Sequence, residues 1–190
     1  MHRLFRQTAA EQSLDVFHRG RLFLAIATGE IARPTLIDHV IQLRDLLGDG
    51  RPLVVEFPDS AVHATTEFLG LLTSLREAKI QVAYDGYAAG KAQITERKDV
   101  VPDFLKLVPS TFRSIHQGAD RQRQVELLVR ATHDIGCSVI ATGIDNEADF
   151  EVCRELGCTL AQGNLFGRPQ STFALRNAPR APAAARKPAK

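Results

Sequence analysis

The sequence predicts an α/β fold of about six parallel strands with flanking helices. Two observations carry this. Short apolar runs, rich in β-branched residues in VVEF and SVIA, alternate with longer stretches of helical periodicity, the pattern of a parallel sheet with right-handed crossovers. In addition, five of the apolar runs end in or beside a polar residue, as strands do where a parallel sheet forms a ligand site.

The elements follow in order along the chain. Residues 3–19 read as a helix, with Leu4, Phe5, Leu14 and Phe17 expected to face inward. LFLAIAT (22–28) is the first strand. TLIDHVIQLRDLLGDG sets Leu36, Val40, Leu43 and Leu47 on one face and stops at Gly. PLVVEF (52–57) precedes a helix over SAVHATTEFLGLLTSLREAK, for which Ser60 is the expected cap, with Leu69, Leu72 and Leu75 on its apolar face. IQVAYD (80–85) and FLKLV (104–108) are strands, and the segment from Gly86 to Asp103 between them is ambiguous. RQVELLVRATHDIG is a helix carrying Val125, Leu128 and Ile135. SVIATG (138–143), the helix NEADFEVCRELG ending at Gly157, and TLAQGNL (159–165) complete the series. A closed eight-stranded barrel takes ~250 residues, so six units fit either part of a barrel or a doubly wound open sheet.

Composition narrows the function. No apolar run approaches the ~20 residues of a membrane span, and the N-terminus carries no export signal, so a soluble, cytoplasmic protein is expected. Cys137, Cys153 and Cys158 lack metal-site or disulfide spacing and read as small apolar residues in a reducing compartment. The net charge of +2 hides an asymmetry: residues 171–190 contribute +5 and the rest −3. We therefore divide the chain into a domain over 1–170 and a basic, Ala/Pro-rich tail over 171–190. The tail is expected to be mostly disordered, from about Asn177 onward, because it buries too little apolar surface to offset ordering. Without the tail nothing is basic enough for specific nucleic-acid binding, and the tail itself reads as solvated.

The strand-end residues are Glu56, Asp85, Lys106, Thr142 and Gln162. Two acids, a lysine, a hydroxyl and an amide on one face suit a phosphate or metal, although any one of them alone is simply a polar loop entry, and Lys106 has the plain alternative of pairing with a carboxylate. The chain has no P-loop, GxGxxG, GxSxG or HExxH, and the six His residues show no ligand-like pairing. Ser60 and His63 sit three apart but lack an oxyanion-hole motif, which sets aside a nucleophilic hydrolase.

SVIATGIDNEADFEVCRELGCTLAQGNLFGRP resembles the ending of EAL domains, the cyclic di-GMP phosphodiesterase barrels, with its VIAEGVET, LGC and QGYLFGRP motifs. PLVVEFPDS is similar to the family's LVLEITES, AYDGYAAG to LALDDFGTG, DFLKLVPSTFRSI to its YLKID segment, and RLFLAIATGEIARPTL to the strand carrying VNLS. The match spans roughly residues 15–170 and implies an incomplete TIM-barrel-like fold lacking counterparts of the family's first strands. With them go a metal-ligating Glu and an Arg that grips phosphate. By the same resemblance the family's Asn ligand is Ala25, the second Asp of its pair is Gly86, the Glu of its AEG motif is Thr142, and a later Glu is Asp145. Glu56, Asp85, Lys106 and Gln162 are retained as vestigial ligand-binding residues.

The family's hydrolysis uses Mg²⁺ or Mn²⁺, hard cations needing several oxygen ligands. The losses therefore imply a catalytically inactive domain, with no catalytic residues, no metal and no cofactor, that signals through protein–protein contact. The alternative is a non-hydrolysing cyclic di-GMP receptor. An open sheet edge would invite a protein partner or a second copy.

Overall fold

Every strand among the described residues alternates between two apolar environments, and that alternation builds the architecture. The computed structural model describes residues 2–16, 20–63, 65–88 and 98–177. Its strands are β1 (Leu22–Ala25), β2 (Leu53–Pro58), β3 (Gln81–Tyr87), β4 (Phe104–Leu107), β5 (Ser138–Thr142) and β6 (Leu160–Gln162). All five pairings are parallel and run in chain order, so β1 and β6 are the sheet's edges. The sheet curls into half of a barrel, which decides between the two architectures the sequence left open.

Successive side chains point to opposite faces of a strand. On the convex face Leu24, Leu53, Val55, Phe57, Val82, Tyr84, Leu105, Leu107, Val139 and Ala141 enter a large core shared with the helices. On the concave face Val54, Ala83, Phe104 and Ile140 form a separate small cluster, with half-buried Phe23 and Leu160 at its margins. Phe23 and Phe104 meet edge to face at 5.5 Å.

The helices are α1 (His2–Val16), α2 (Thr35–Leu47), α3 (Thr66–Glu77), α4 (Ala119–Asp134), α5 (Glu147–Glu155) and α6 (Thr172–Asn177). α2 buries Leu36, Val40, Leu43 and Leu47, the stripe its periodicity predicts. α3 is capped by Thr65, whose hydroxyl accepts from the Phe68 N–H, and not by Ser60. Ser60 instead lies in a 3-10 turn over Asp59–Ala61 that follows β2. α6 packs beside α1, with Thr172 Oγ1 2.9 Å from Gln12 Oε1 and Arg176 paired with Asp15. The remainder of the tail, 178–190, lies outside the described residues, as do Phe17 and residues 89–97 of the ambiguous stretch.

The inward face of α1 differs from expectation. Leu4 and Phe5 are 69% and 64% exposed and Leu14 is exposed, whereas Arg6, Ala10 and Ser13 are buried. Partners supplied from elsewhere reverse the hydropathy. Arg6 donates to both oxygens of Glu30 (2.9 and 2.8 Å) and to the Ala25 carbonyl, and Ser13 Oγ accepts from Arg51 at 2.9 Å. The two terminal nitrogens of Arg6 and the Ser13 hydroxyl, so partnered, tolerate burial.

Candidate functional site

The concave face carries the strand-end residues because each has the same parity as the inner apolar residue two positions before it: Val54 and Glu56, Ala83 and Asp85, Phe104 and Lys106, Ile140 and Thr142, Leu160 and Gln162. The sheet register then sets Ala25 opposite Glu56, Asp85 opposite Lys106 and Thr142 opposite Gln162. The structure thus brings the predicted residues together.

Lys106 is the centre of the group. Its Nζ lies 2.7 Å from Glu56 Oε1 and 3.8 Å from Asp85 Oδ1. The Lys106 and Glu56 side chains are about 10% exposed, while that of Asp85 is 53% exposed. Thr142 Oγ1 donates to the Leu107 carbonyl and so faces the backbone. Asp145 accepts from the backbone N–H and the side-chain amide of Asn164, at 3.2 and 3.0 Å.

Two cavities meet at Lys106. One, of about 350 Å³, is the open lumen of the half-barrel, lined by Phe23, Glu56, Lys106, Ile140, Leu160 and Gln162. The other, of about 430 Å³, lies at the strand ends, between Asp85, Lys106, Thr142, Asp145, Gln162 and Asn164.

Glycines shape the rim. Gly86 takes φ +80° at a register shift between Asp85 and Tyr87, so the strand bulges there, Asp85 stays exposed and Tyr87 returns to the core. A Cβ on Gly163 would lie 2.0 Å from the Ile144 carbonyl oxygen, which requires glycine at the entry to the QG turn.

The donor set does not suit a divalent cation. Glu56 is already paired with an ammonium, Ala25 and Gly86 offer no side-chain oxygen, and Thr142 is committed to Leu107. Among the described residues no three His, Cys, Asp or Glu side chains gather around one point. Hard cations need more oxygen ligands than this.

Two features escaped the sequence reading. Asp149 accepts from the backbone N–H groups of Ser114 and His116, from Asn146 Nδ2, and bonds His116 Nδ1 at 2.6 Å. Burial works against its charge, yet the hydrogen bonds from His116, Asn146 and Ser114 prevail and hold its carboxyl below the ordinary value. His39 on α2, which has no ligand-like spacing to another His in the sequence, is buried and accepts from Arg3 Nε of α1. Of the cysteines, Cys137 and Cys153 are buried, Cys158 is half-buried, and all three are free thiols. Burial pushes the Cys137 thiol up to about 12.

The EAL domain model matches residues 1–169, and the chain belongs to the EAL domain family. It is 26% identical over 117 residues to the blue light- and temperature-regulated antirepressor BluF of Escherichia coli, covering 61% of this chain and 29% of that protein. It is 22% identical over 151 residues to the cyclic di-GMP phosphodiesterase PA2567 of Pseudomonas aeruginosa, covering 78% of this chain and 26% of that protein. The chain thus spans less than a third of these relatives. Klebsiella pneumoniae BlrP1, in a manganese and cyclic di-GMP complex, superposes with a TM-score of 0.74 at 26% identity, over 88% of this chain and 45% of that one. The EAL domain of Mycobacterium smegmatis DcpA superposes with a TM-score of 0.79 at 20% identity, over 91% of this chain and 80% of that one, and shares the fold. No helix among the described residues is long and apolar enough to cross a membrane.

Proposed function

We propose that this EAL domain does not hydrolyse cyclic di-GMP and acts in bacterial cytoplasmic signalling by holding a protein partner, or a second copy of itself, against the open flank of the half-barrel. One observation carries the inactive assignment: the Lys106 ammonium already neutralises Glu56 at 2.7 Å and, among the described residues, pairs otherwise only with Asp85 at 3.8 Å. A metal there would have to displace the lysine and then find its remaining ligands among Ala25, Gly86 and a Thr142 hydroxyl turned to the backbone. Without a metal, a water in the cavity keeps a pKa near that of bulk and is a poor nucleophile at neutral pH.

The interaction half of the reading is supported by the lumen. Phe23, Ile140 and Leu160 form an apolar surface between the edge strands β1 and β6, whose outer backbone groups suit strand addition or close docking. The antirepressor relative is in keeping with a role exerted on another protein. The test is a turnover assay on the purified chain with Mg²⁺ and Mn²⁺. We expect no linear product above the buffer blank. Product formation that Glu56→Ala or Asp85→Ala abolishes would overturn the assignment.

A second reading, a non-hydrolysing cyclic di-GMP receptor, is favoured by the cavity of about 430 Å³ that keeps Lys106 and Gln162 at the strand ends. Calorimetry with cyclic di-GMP, with and without Mg²⁺, separates the two. Saturable binding that Lys106→Ala weakens by about 1–3 kcal/mol supports the receptor, and silence supports the interaction module.

A further inference from the structure

Away from the strand ends, α1 and the start of α2 enclose a cavity of about 50 Å³ lined by Arg3, Arg6, Glu30, Arg33, Thr35 and His39. Two buried nitrogens of these residues, Arg6 Nε and His39 Nε2, have no hydrogen-bond partner. Arg6 and His39 are 6% and 2% exposed. Arg3 Nε donates to His39 Nδ1 at 3.2 Å, so Nδ1 is the acceptor of the ring and Nε2 carries the hydrogen. Both orphans are therefore donors. A buried N–H left without an acceptor is costly, and two at one cavity call for an acceptor the protein does not supply.

The charge has the same sense. Glu30 is the one carboxylate of the cavity, and Arg6 occupies both of its oxygens. Among the described residues Arg3 bonds only the neutral partners His39 and Gln42, and Arg33 has no ion pair. Two guanidinium charges are thus in surplus. The 13-residue helix α2 also begins here, at Thr35, so its positive pole adds to theirs. Burial, with Arg3 and Arg6 close by, holds His39 below its ordinary value, which keeps the ring in the neutral, single-donor form. A water needs roughly 10–15 Å³. The space therefore fits a group of several atoms and is far too small for a nucleotide.

We propose that this cavity binds a tetrahedral oxyanion, either free phosphate or the phosphoryl end of a monoester. His39 Nε2–H and Arg6 Nε–H donate from within, and Arg3 and Arg33 supply charge at the rim. The anion would tie α1 to α2 and to the turn that follows β1. This site is separate from the strand-end cavity and stands whether or not that cavity binds nucleotide.

The experiment is calorimetry of the full chain with inorganic phosphate and, in parallel, glycerol phosphate, at ionic strength fixed with chloride. His39 ring resonances are followed by NMR. One saturable equivalent is expected, with His39 signals moving along the same isotherm. Arg33→Ala, which alters an exposed side chain, weakens binding about tenfold, and His39→Leu, which removes the Nε2–H donor, weakens it comparably, as the loss of a charge-assisted or buried contact predicts. Tighter binding of the free ion names inorganic phosphate as the ligand, and tighter binding of the ester names a phosphorylated molecule. No heat above the chloride blank, or affinity unchanged in Arg33→Ala, would show that the cavity holds only water and overturn the proposal. Loss of the signal in Lys106→Ala would move the phosphate to the strand ends and overturn it equally.

Discussion

Lys106 on β4 reaches across β3 to place its ammonium 2.7 Å from Glu56 on β2, so the two most enclosed charges of the concave face neutralise each other. Removing one member leaves the other uncompensated in the lumen, which costs more than the pair itself contributes. Lys106→Met is expected to lower stability by about 2–3 kcal/mol, and Glu56→Gln combined with Lys106→Met to recover most of that loss. Urea denaturation of the two single variants and the double variant checks the cycle. Strictly additive losses would mean that the two groups do not interact.

A second ion pair makes stability depend on pH in the acid range. Two hydrogen bonds from Arg6 hold the Glu30 carboxyl down from 4.5 to about 2, against the desolvation that opposes them. A carboxyl held low contributes stability that is complete above its unfolded value and lost as pH falls through its folded value. The contribution, on the order of 3 kcal/mol, is therefore expected to disappear between about pH 4.5 and pH 2. Arg6→Gln should flatten this part of the profile and cost stability at neutral pH. Urea midpoints measured from pH 7 to pH 2 for both proteins provide the test, and parallel profiles would rule the mechanism out.

Much of this was legible in the sequence because it depends on local periodicity. The alternation of Leu53, Val55 and Phe57 with Val54 and Glu56 already separates a helix-facing side from a lumen side. The same parity places Asp85, Lys106, Thr142 and Gln162 with Glu56. What was illegible depends on partners distant along the chain. The apolar residues of α1 gave the wrong inward face because Arg6 meets Glu30 24 residues away and Arg51 reaches Ser13 across 38. Pairing across 33 residues likewise hid the His116–Asp149 bond. By residue type Ser60 is the slightly better cap, and the 3-10 turn after β2 decides for Thr65.

The motif glycines have steric reasons that can be tested apart from any ligand. At Gly163 an added Cβ would meet the Ile144 backbone at 2.0 Å. At Gly143, where φ is +70°, it would lie 2.5 Å from Pro109 Cβ. Gly163→Ala and Gly143→Ala are each expected to destabilise by about 2–4 kcal/mol, since both the backbone and a packed neighbour must move. Gly29→Ala has open space around it and should change stability by less than about 0.5 kcal/mol. Thermal unfolding of the three variants distinguishes a steric requirement from a general intolerance of glycine replacement.

The open flank leads to the last prediction. β1 and β6 are both edges, and the apolar margin between them, Phe23 and Leu160, is only half-buried. β6 is three residues long, too short to cover the lumen by itself. α1 does not serve as a lid either, because it turns Arg6, Ala10 and Ser13 inward and leaves Leu4 and Phe5 exposed. A second copy set against this flank would cover Phe23 and Leu160 in both chains, and a lasting dimer requires well over ~1,000 Å² of buried surface. Light scattering at micromolar concentration should therefore give a mass above the 20.9 kDa of one chain. Leu160→Asp puts a carboxylate at the margin of the lumen, beside the cavity that Glu56 lines, and should return the protein to a folded monomer with unchanged far-ultraviolet dichroism. Phe23→Asp should do the same from the opposite edge. A wild-type chain that remains at 20.9 kDa across the whole concentration range would refute self-association through the flank. A dimer that both substitutions leave intact would place the contact on another surface.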